Sequence, residues 1–217
     1  MSSTRYYKYN HLELSNGNLK LGNDTLILNI TSATDCPSAR LGLCQLHNPK
    51  QCYALKAEKM YPGCLPYRRR QAEYWDATPW NVIAKDFIAL FKRFPSLSRI
   101  KYIRINESGD FRDQNDIYQL NTIAYAVNNA LRKNLIWYGY SARSDLDFSQ
   151  AENLLIKGSG HLNGNNGRVI VRKLDKALKG KTISIEGFVA YVCPGKCHDC
   201  SFCKRNIGQT LLVIPQH

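Results

Sequence analysis

Four cysteines lie within eleven residues, Cys193, Cys197, Cys200 and Cys203, at the spacing C-x3-C-x2-C-x2-C. Thiolates are soft donors, and a loop this short can turn all four toward one point, as a zinc ion or an iron–sulfur centre requires. Disulfides fit less well, because cysteines two residues apart strain the dihedral across a sulfur–sulfur bond. A second set, Cys36, Cys44, Cys52 and Cys64, is spaced by seven, seven and eleven residues. On spacing alone, ligation and free thiols stand level there.

The neighbours of the tight set suit a metal centre. Gly195 lets backbone approach closely, and Lys196, His198, Lys204 and Arg205 bring positive charge that favours thiolate. Tyr191 and Phe202 are placed to shield the group from water. With four thiols available, His198 reads as a neighbour rather than a ligand.

Three further groups are candidates. Glu107-Ser108-Gly109-Asp110 follows an apolar run and reads either as an amine- or ribose-binding turn or as a helix cap and loop carboxylate. Arg104 stands just before it as an ion-pair partner. Ser141 and Arg143 follow another apolar run, as an anion contact or a capped turn. Arg68-Arg69-Arg70, near Tyr67, Tyr74 and Trp75, reads either as a phosphate-tracking stripe with stacking rings or as a solvated helix face. The sequence carries no P-loop, dinucleotide fingerprint, Ser-His-Asp signature or His-Glu-x-x-His motif.

The elements that must position these groups alternate. Apolar runs at Leu26–Ile30, Ile100–Ile105, Leu135–Tyr140, Val169–Val171, Phe188–Val192 and Leu211–Ile214 read as strands. Tyr53–Tyr61 has good helix formers and stops before Pro62-Gly63. Thr78-Pro79 starts an amphipathic helix over 79–94, and Ile117, Leu120, Ala124, Val127 and Leu131 mark another over 113–131. A shorter helix is expected at 148–157, then a polar loop at 158–167. Such alternation predicts an α/β fold with a largely parallel sheet, in which both cysteine sets, 107–110 and 141–143 follow strands and share one edge. Residues 1–23, broken by Gly17 and Gly22, read as an arm or hairpin, and 24–217 as a single domain.

With 217 residues, 44% hydrophobic and 11% aromatic, the chain can bury a sizeable core. No stretch is apolar enough for a signal peptide or a membrane span, so no membrane partner is expected and the thiols are assigned to a reducing cytoplasm. The net charge of +13 suits nucleic acid or an anionic ligand, or else a lysine-rich surface partly offset by anionic thiolate centres.

Taken together, Cys36-Pro37-Ser38-Ala39, Cys44, Cys52-Tyr53-Ala54, Arg68-Arg69, the Arg104-Ile105-x-x-Ser108-Gly109-Asp110-Phe111 segment, the strand ending at Ser141 and the apolar close with His217 resemble the phage gene product 88 family. More distantly the sequence is similar to radical S-adenosylmethionine proteins. That resemblance implies a partial (β/α) barrel-like sheet with two cysteine-rich metal-binding loops. It implies a [4Fe-4S] cluster on Cys36, Cys44 and Cys52, and a second on Cys193, Cys197, Cys200 and Cys203. It also implies S-adenosylmethionine held by Glu107, Ser108, Gly109 and Asp110 with Ser141 and Arg143, a reductant such as a ferredoxin or flavodoxin, and a host-cell cytoplasmic location. The compact C-x3-C-x2-C of the radical enzymes stands here at Cys193–Cys200, not after the first strand. Two other readings remain: a zinc-stabilised basic module that binds nucleic acid, and a cluster protein that carries electrons or stabilises the fold without a substrate.

Overall fold

Short apolar runs cannot stay in water, and here they assemble into one sheet whose nearer face is covered by the two amphipathic helices. The structure is a computed structural model that describes residues 5–16, 20–46, 48, 50–161, 164–185, 187–208 and 210–215; Gly17 and His217 lie outside them. In chain order the elements are β1 (Tyr6–Tyr9), β2 (Leu12–Asn16), β3 (Thr25–Leu28), α1 (Pro37–Arg40), α2 (Tyr53–Met60), α3 (Cys64–Ala77), α4 (Trp80–Arg93), β4 (Tyr102–Ile105) and α5 (Gln114–Leu131). They continue with β5 (Ile136–Ser141), β6 (Leu154–Ser159), β7 (Arg168–Arg172), β8 (Thr182–Ile185), β9 (Phe188–Val192) and β10 (Leu211–Pro215).

The strand order is β1-β2-β3-β4-β5-β6-β7-β10-β9-β8. From β3 to β9 in that order every pairing is parallel, while an antiparallel strand pair closes each flank. The fold is therefore mixed α/β with a mostly parallel sheet, as expected. The sheet does not close on itself, and β1 and β8 are its open edges. The arm expected at the start is a hairpin, turned at Asn10 in the left-handed region (φ 50°), which asparagine tolerates.

Side chains alternate across the sheet. Leu26, Leu28, Ile103, Ile105, Trp137, Leu154 and Ile156 form one buried core with Ile83, Phe87 and Leu90 of α4 and Ile117, Leu120, Ala124 and Val127 of α5. The ring of Trp137 lies 5.3 Å from that of Phe87 at the centre of this layer. Asp113 caps α5 by accepting the Asp116 amide at 3.1 Å. On the opposite face Arg104, Tyr138, Tyr140, Val171, Leu212 and Ile214 line a cavity.

Two local expectations fail. Residues 148–157 are not a helix: Phe148 and Ala151 end a turn, and Leu154–Ser159 is a strand paired with β5. Leu154 and Ile156 alternate at the strand period, and burial between β5 and β7 outweighs the helical spacing of Phe148 and Ala151. Cys64–Ala77 is a full helix, with Pro66 tolerated in its first turn, where only a basic stretch was read.

Trp137→Ala should lower the unfolding free energy by about 3–5 kcal/mol, read from denaturant melts, since the layer between β5 and α4 cannot collapse around the lost ring.

Candidate metal centres and the cavity between them

The carboxyl ends of β3, β4 and β5 meet at one edge, and their loops are tied by two buried carboxylates. Asp110 is 4% exposed. It accepts the Ser38 hydroxyl, the Ser141 hydroxyl at 2.7 Å, and the amides of Ala142 at 2.7 Å and Phe111 at 2.8 Å. Burial pushes its pKa up, and those donors only partly offset it. Its own peptide group pairs both ways with the Thr31 hydroxyl at 2.8 Å. Gly109 sits at φ +73°, and a Cβ there would fall 2.0 Å from Thr31 Oγ1, so only glycine fits the approach.

Glu58 of α2 is the second tie. It accepts the Ala33 amide (2.7 Å), the Thr34 amide and hydroxyl (both 2.8 Å), Arg68 Nη1 (2.9 Å) and the Ser108 hydroxyl (3.0 Å). Burial alone would raise its pKa, but the donors outweigh it and the net shift is downward. Arg68 also donates to the Ala54 carbonyl at 3.0 Å and faces Glu107 at 3.7 Å. No sequence signal marked Glu58, because its partners come from three separate segments.

This network holds the loop of the first cysteine set. Cys36 is the N-cap of α1 and Cys52 the N-cap of α2. The sulfur of Cys52 accepts the Leu55 amide at 3.5 Å. Peptide N–H groups of Ala39 and Ser38 face Cys36, and that of Leu46 faces Cys44. Cys36 and Cys44 lie within electrostatic reach of one another, as do Cys44 and Cys52. As free thiols they would stay protonated: burial pushes Cys36 up to about 12 and raises Cys44. A nucleophilic cysteine does not fit that setting. Cys64 stands apart at the start of α3, its charged neighbours being Arg68, Glu58 and Glu107.

The second set occupies the connection between β9 and β10. Because these strands are parallel, the chain must travel from the carboxyl end of one to the amino end of the other. It does so over the cavity face. Cys193 leaves β9 with its amide on the Val213 carbonyl (2.8 Å), and the His198 amide reaches the Lys20 carbonyl (3.1 Å). Lys204 ends beside Asp24 (3.8 Å) and over the Tyr102 ring (4.0 Å). Among the described residues on the way, the only regular structure is a 3-10 turn at Phe202–Lys204. Tyr191 and Phe202 stack at 4.4 Å, and the Tyr191 hydroxyl lies 3.8 Å from Cys200 Sγ. Cys193, Cys197 and Cys203 bear on one another electrostatically. Burial raises Cys197 and Cys203. His198 turns its ring to Asp199 at 3.0 Å.

All eight cysteines are unpaired and half-buried. Among the described residues, no three histidine, cysteine or acidic side chains converge as a single-ion site. A cavity of ≈ 1980 Å³ is lined by Cys64 and by all four thiols of the second set, and not by Cys36, Cys44 or Cys52.

The remaining candidates are engaged within the protein. Arg143 donates to Asp145 (2.7 Å) and to the carbonyls of Phe111 (2.7 Å) and Arg112 (2.5 Å). Arg69 and Arg70 pair with Asp35 (2.9 Å) and Glu13 (3.0 Å). Arg104 makes no ion pair among the described residues and stacks instead on Tyr140 (4.3 Å).

The family model described as gene product 88 matches residues 7–154. The chain belongs to the gene product 88 family. The match covers the loops tied by Asp110 and Glu58 and the first cysteine set, and stops before the second set. No curated protein and no solved structure matches the chain, and the wider likeness to radical S-adenosylmethionine proteins has no support from these comparisons. Among the described residues of this gene product 88 protein, no helix is long and apolar enough to cross a membrane.

Glu58→Gln should destabilise the protein by about 3–5 kcal/mol at neutral pH, because it weakens the partner of a buried arginine. The wild-type contribution is complete above the ordinary glutamate value of 4.5 and is lost as pH falls through the lowered folded value. Acid melts of the variant should therefore lack that part of the wild-type decline.

Proposed function

We propose that this protein binds two [4Fe-4S] clusters, one on Cys36, Cys44 and Cys52 and a second on Cys193, Cys197, Cys200 and Cys203.

 The observation that carries the reading is the treatment of sulfur in the first set. Each of the three thiols faces at least one peptide N–H, the contact that stabilises cluster sulfur and tunes its potential. The second set supports it. A crossover between parallel strands is usually a helix packed on the sheet, and here it is an irregular segment with four unpaired thiols. A cross-link through a metal centre would supply the order that a helix would otherwise give.

The donor type suits such groups, since thiolates are the ligands that iron–sulfur centres take. Cys36, Cys44 and Cys52 would hold the first, and Asp110 and Glu58 fix the loops on which they stand. The four later thiols would hold the second, with the Tyr191–Phe202 stack beside Cys200 excluding water and Lys157 placing its ammonium on the Cys203 carbonyl at 3.0 Å. When bound, a cluster supplies one-electron transfer or a purely structural cross-link. For S-adenosylmethionine to use Asp110, its amine would have to displace Ser38, Ser141 or the Ala142 amide. The reading therefore stops at cluster binding, with radical chemistry as a separate test.

Anaerobic, iron-replete expression should give brown protein with about four irons and four sulfides per cluster, about eight of each in all. Cys52→Ala and Cys197→Ala should each remove about half. Colourless protein with stoichiometric zinc would overturn the proposal. Addition of S-adenosylmethionine to the reduced protein, followed by electron paramagnetic resonance, separates the radical version: an unchanged spectrum rejects it.

A further inference from the structure

Arg104 of β4 lines the cavity beside Cys64 and the second cysteine set and is 6% exposed. Its guanidinium is held by ring faces, Tyr140 at 4.3 Å and Tyr138 at 5.5 Å. Glu107, which bears on it electrostatically, is turned toward Arg68 at 3.7 Å. One guanidinium nitrogen, Nη1, is buried with no hydrogen-bond partner. The Tyr138 hydroxyl, on a residue 2% exposed, is likewise buried and unpartnered. Both residues line the same cavity. An unsatisfied buried donor is costly, and more so when charged, so two of them from adjacent strands mark a place built for an acceptor.

The surroundings indicate which acceptor. Among the described lining residues, cations outnumber carboxylates nine to two. A single carboxylate would need no such field, whereas a phosphate with more than one negative charge is drawn by it. Seven tyrosines also line the space, and Tyr6, Tyr53 and Tyr61 are 59%, 61% and 61% exposed, which leaves aromatic surface open for stacking. At ≈ 1980 Å³ the cavity has room for a ligand much larger than phosphate alone.

We propose that Arg104 Nη1 and the Tyr138 hydroxyl hold the phosphate of a mononucleotide whose base lies against the cavity tyrosines. This goes beyond cluster binding and does not rest on it, because neither residue is a candidate metal ligand.

Calorimetric titration of the protein as isolated with AMP, adenosine and inorganic phosphate tests it. AMP should bind saturably, with adenosine at least about tenfold weaker, the ratio expected for losing charge-assisted hydrogen bonds. Arg104→Gln should weaken AMP by about tenfold or more. Tyr138→Phe should weaken it by a smaller factor while melting no lower than the wild type, since the hydroxyl it removes is unpaired; this variant carries the test if Arg104→Gln fails to fold. The proposal is overturned if the wild type shows no saturable AMP binding at millimolar ligand, if adenosine equals AMP, or if Tyr138→Phe binds AMP as the wild type does. An oligothymidylate that displaces AMP and binds far more tightly would also overturn it, by assigning the cavity to a strand. Iron content is measured independently, so loss of either reading leaves the other standing.

Discussion

A parallel sheet needs cover on both faces, and in this chain α4 and α5 pack tightly against one while α2 and α3 stand across a cavity from the other. The layer of α4 and α5 seals the side that carries Trp137, Ile103 and Ile156. The other side carries Arg104, Tyr138 and Tyr140 and is crossed by the irregular segment between β9 and β10. That imbalance explains why the large cavity, the buried charges and the clustered thiols occur together. Because α2 and α3 wall this cavity rather than fill it, the protein keeps polar groups there that must be satisfied by something other than hydrocarbon.

At the strand ends the same economy of apolar contact is met with hydrogen bonds. Glu58 and Asp110 each gather donors from several segments. A buried carboxylate with that many donors is rigidly placed, because moving any one loop strands a charge in low dielectric. The loop from Cys36 to Cys52 thus has fixed anchors although it contains little regular structure. The wide spacing of its thiols is compatible with proximity because the anchors, rather than the sequence interval, bring the chain back.

Much of the architecture was legible from apolar spacing. The helices over 79–94 and 113–131 and the strands at 100–105, 135–140, 169–171, 188–192 and 211–214 fall close to α4, α5, β4, β5, β7, β9 and β10, since each has one clear period. Residues 148–157 misled because Phe148 and Ala151 match a helix while Leu154 and Ile156 match a strand, and only the neighbouring β5 decides. The arginine run was legible as charge but not as partners: Arg68 is buried on Glu58, ten positions away on another helix. Arg104 was expected to meet an acid of the following turn, yet it is held by tyrosines from the next strand, a pairing that depends on β4–β5 register. The cysteines themselves were plain; that Cys64 and the four later thiols line one cavity needed the sheet order.

The place of β10 between β7 and β9 has a consequence for biosynthesis. β9 is made before the strand that joins it to the rest of the sheet, and until residues 211–215 emerge it is held only by its hairpin with β8. Throughout that interval the four later thiols are tethered but unshielded. Under the proposed cluster binding, metal insertion and oxidative damage would compete during translation, and the outcome would be set by how quickly β10 inserts between β7 and β9.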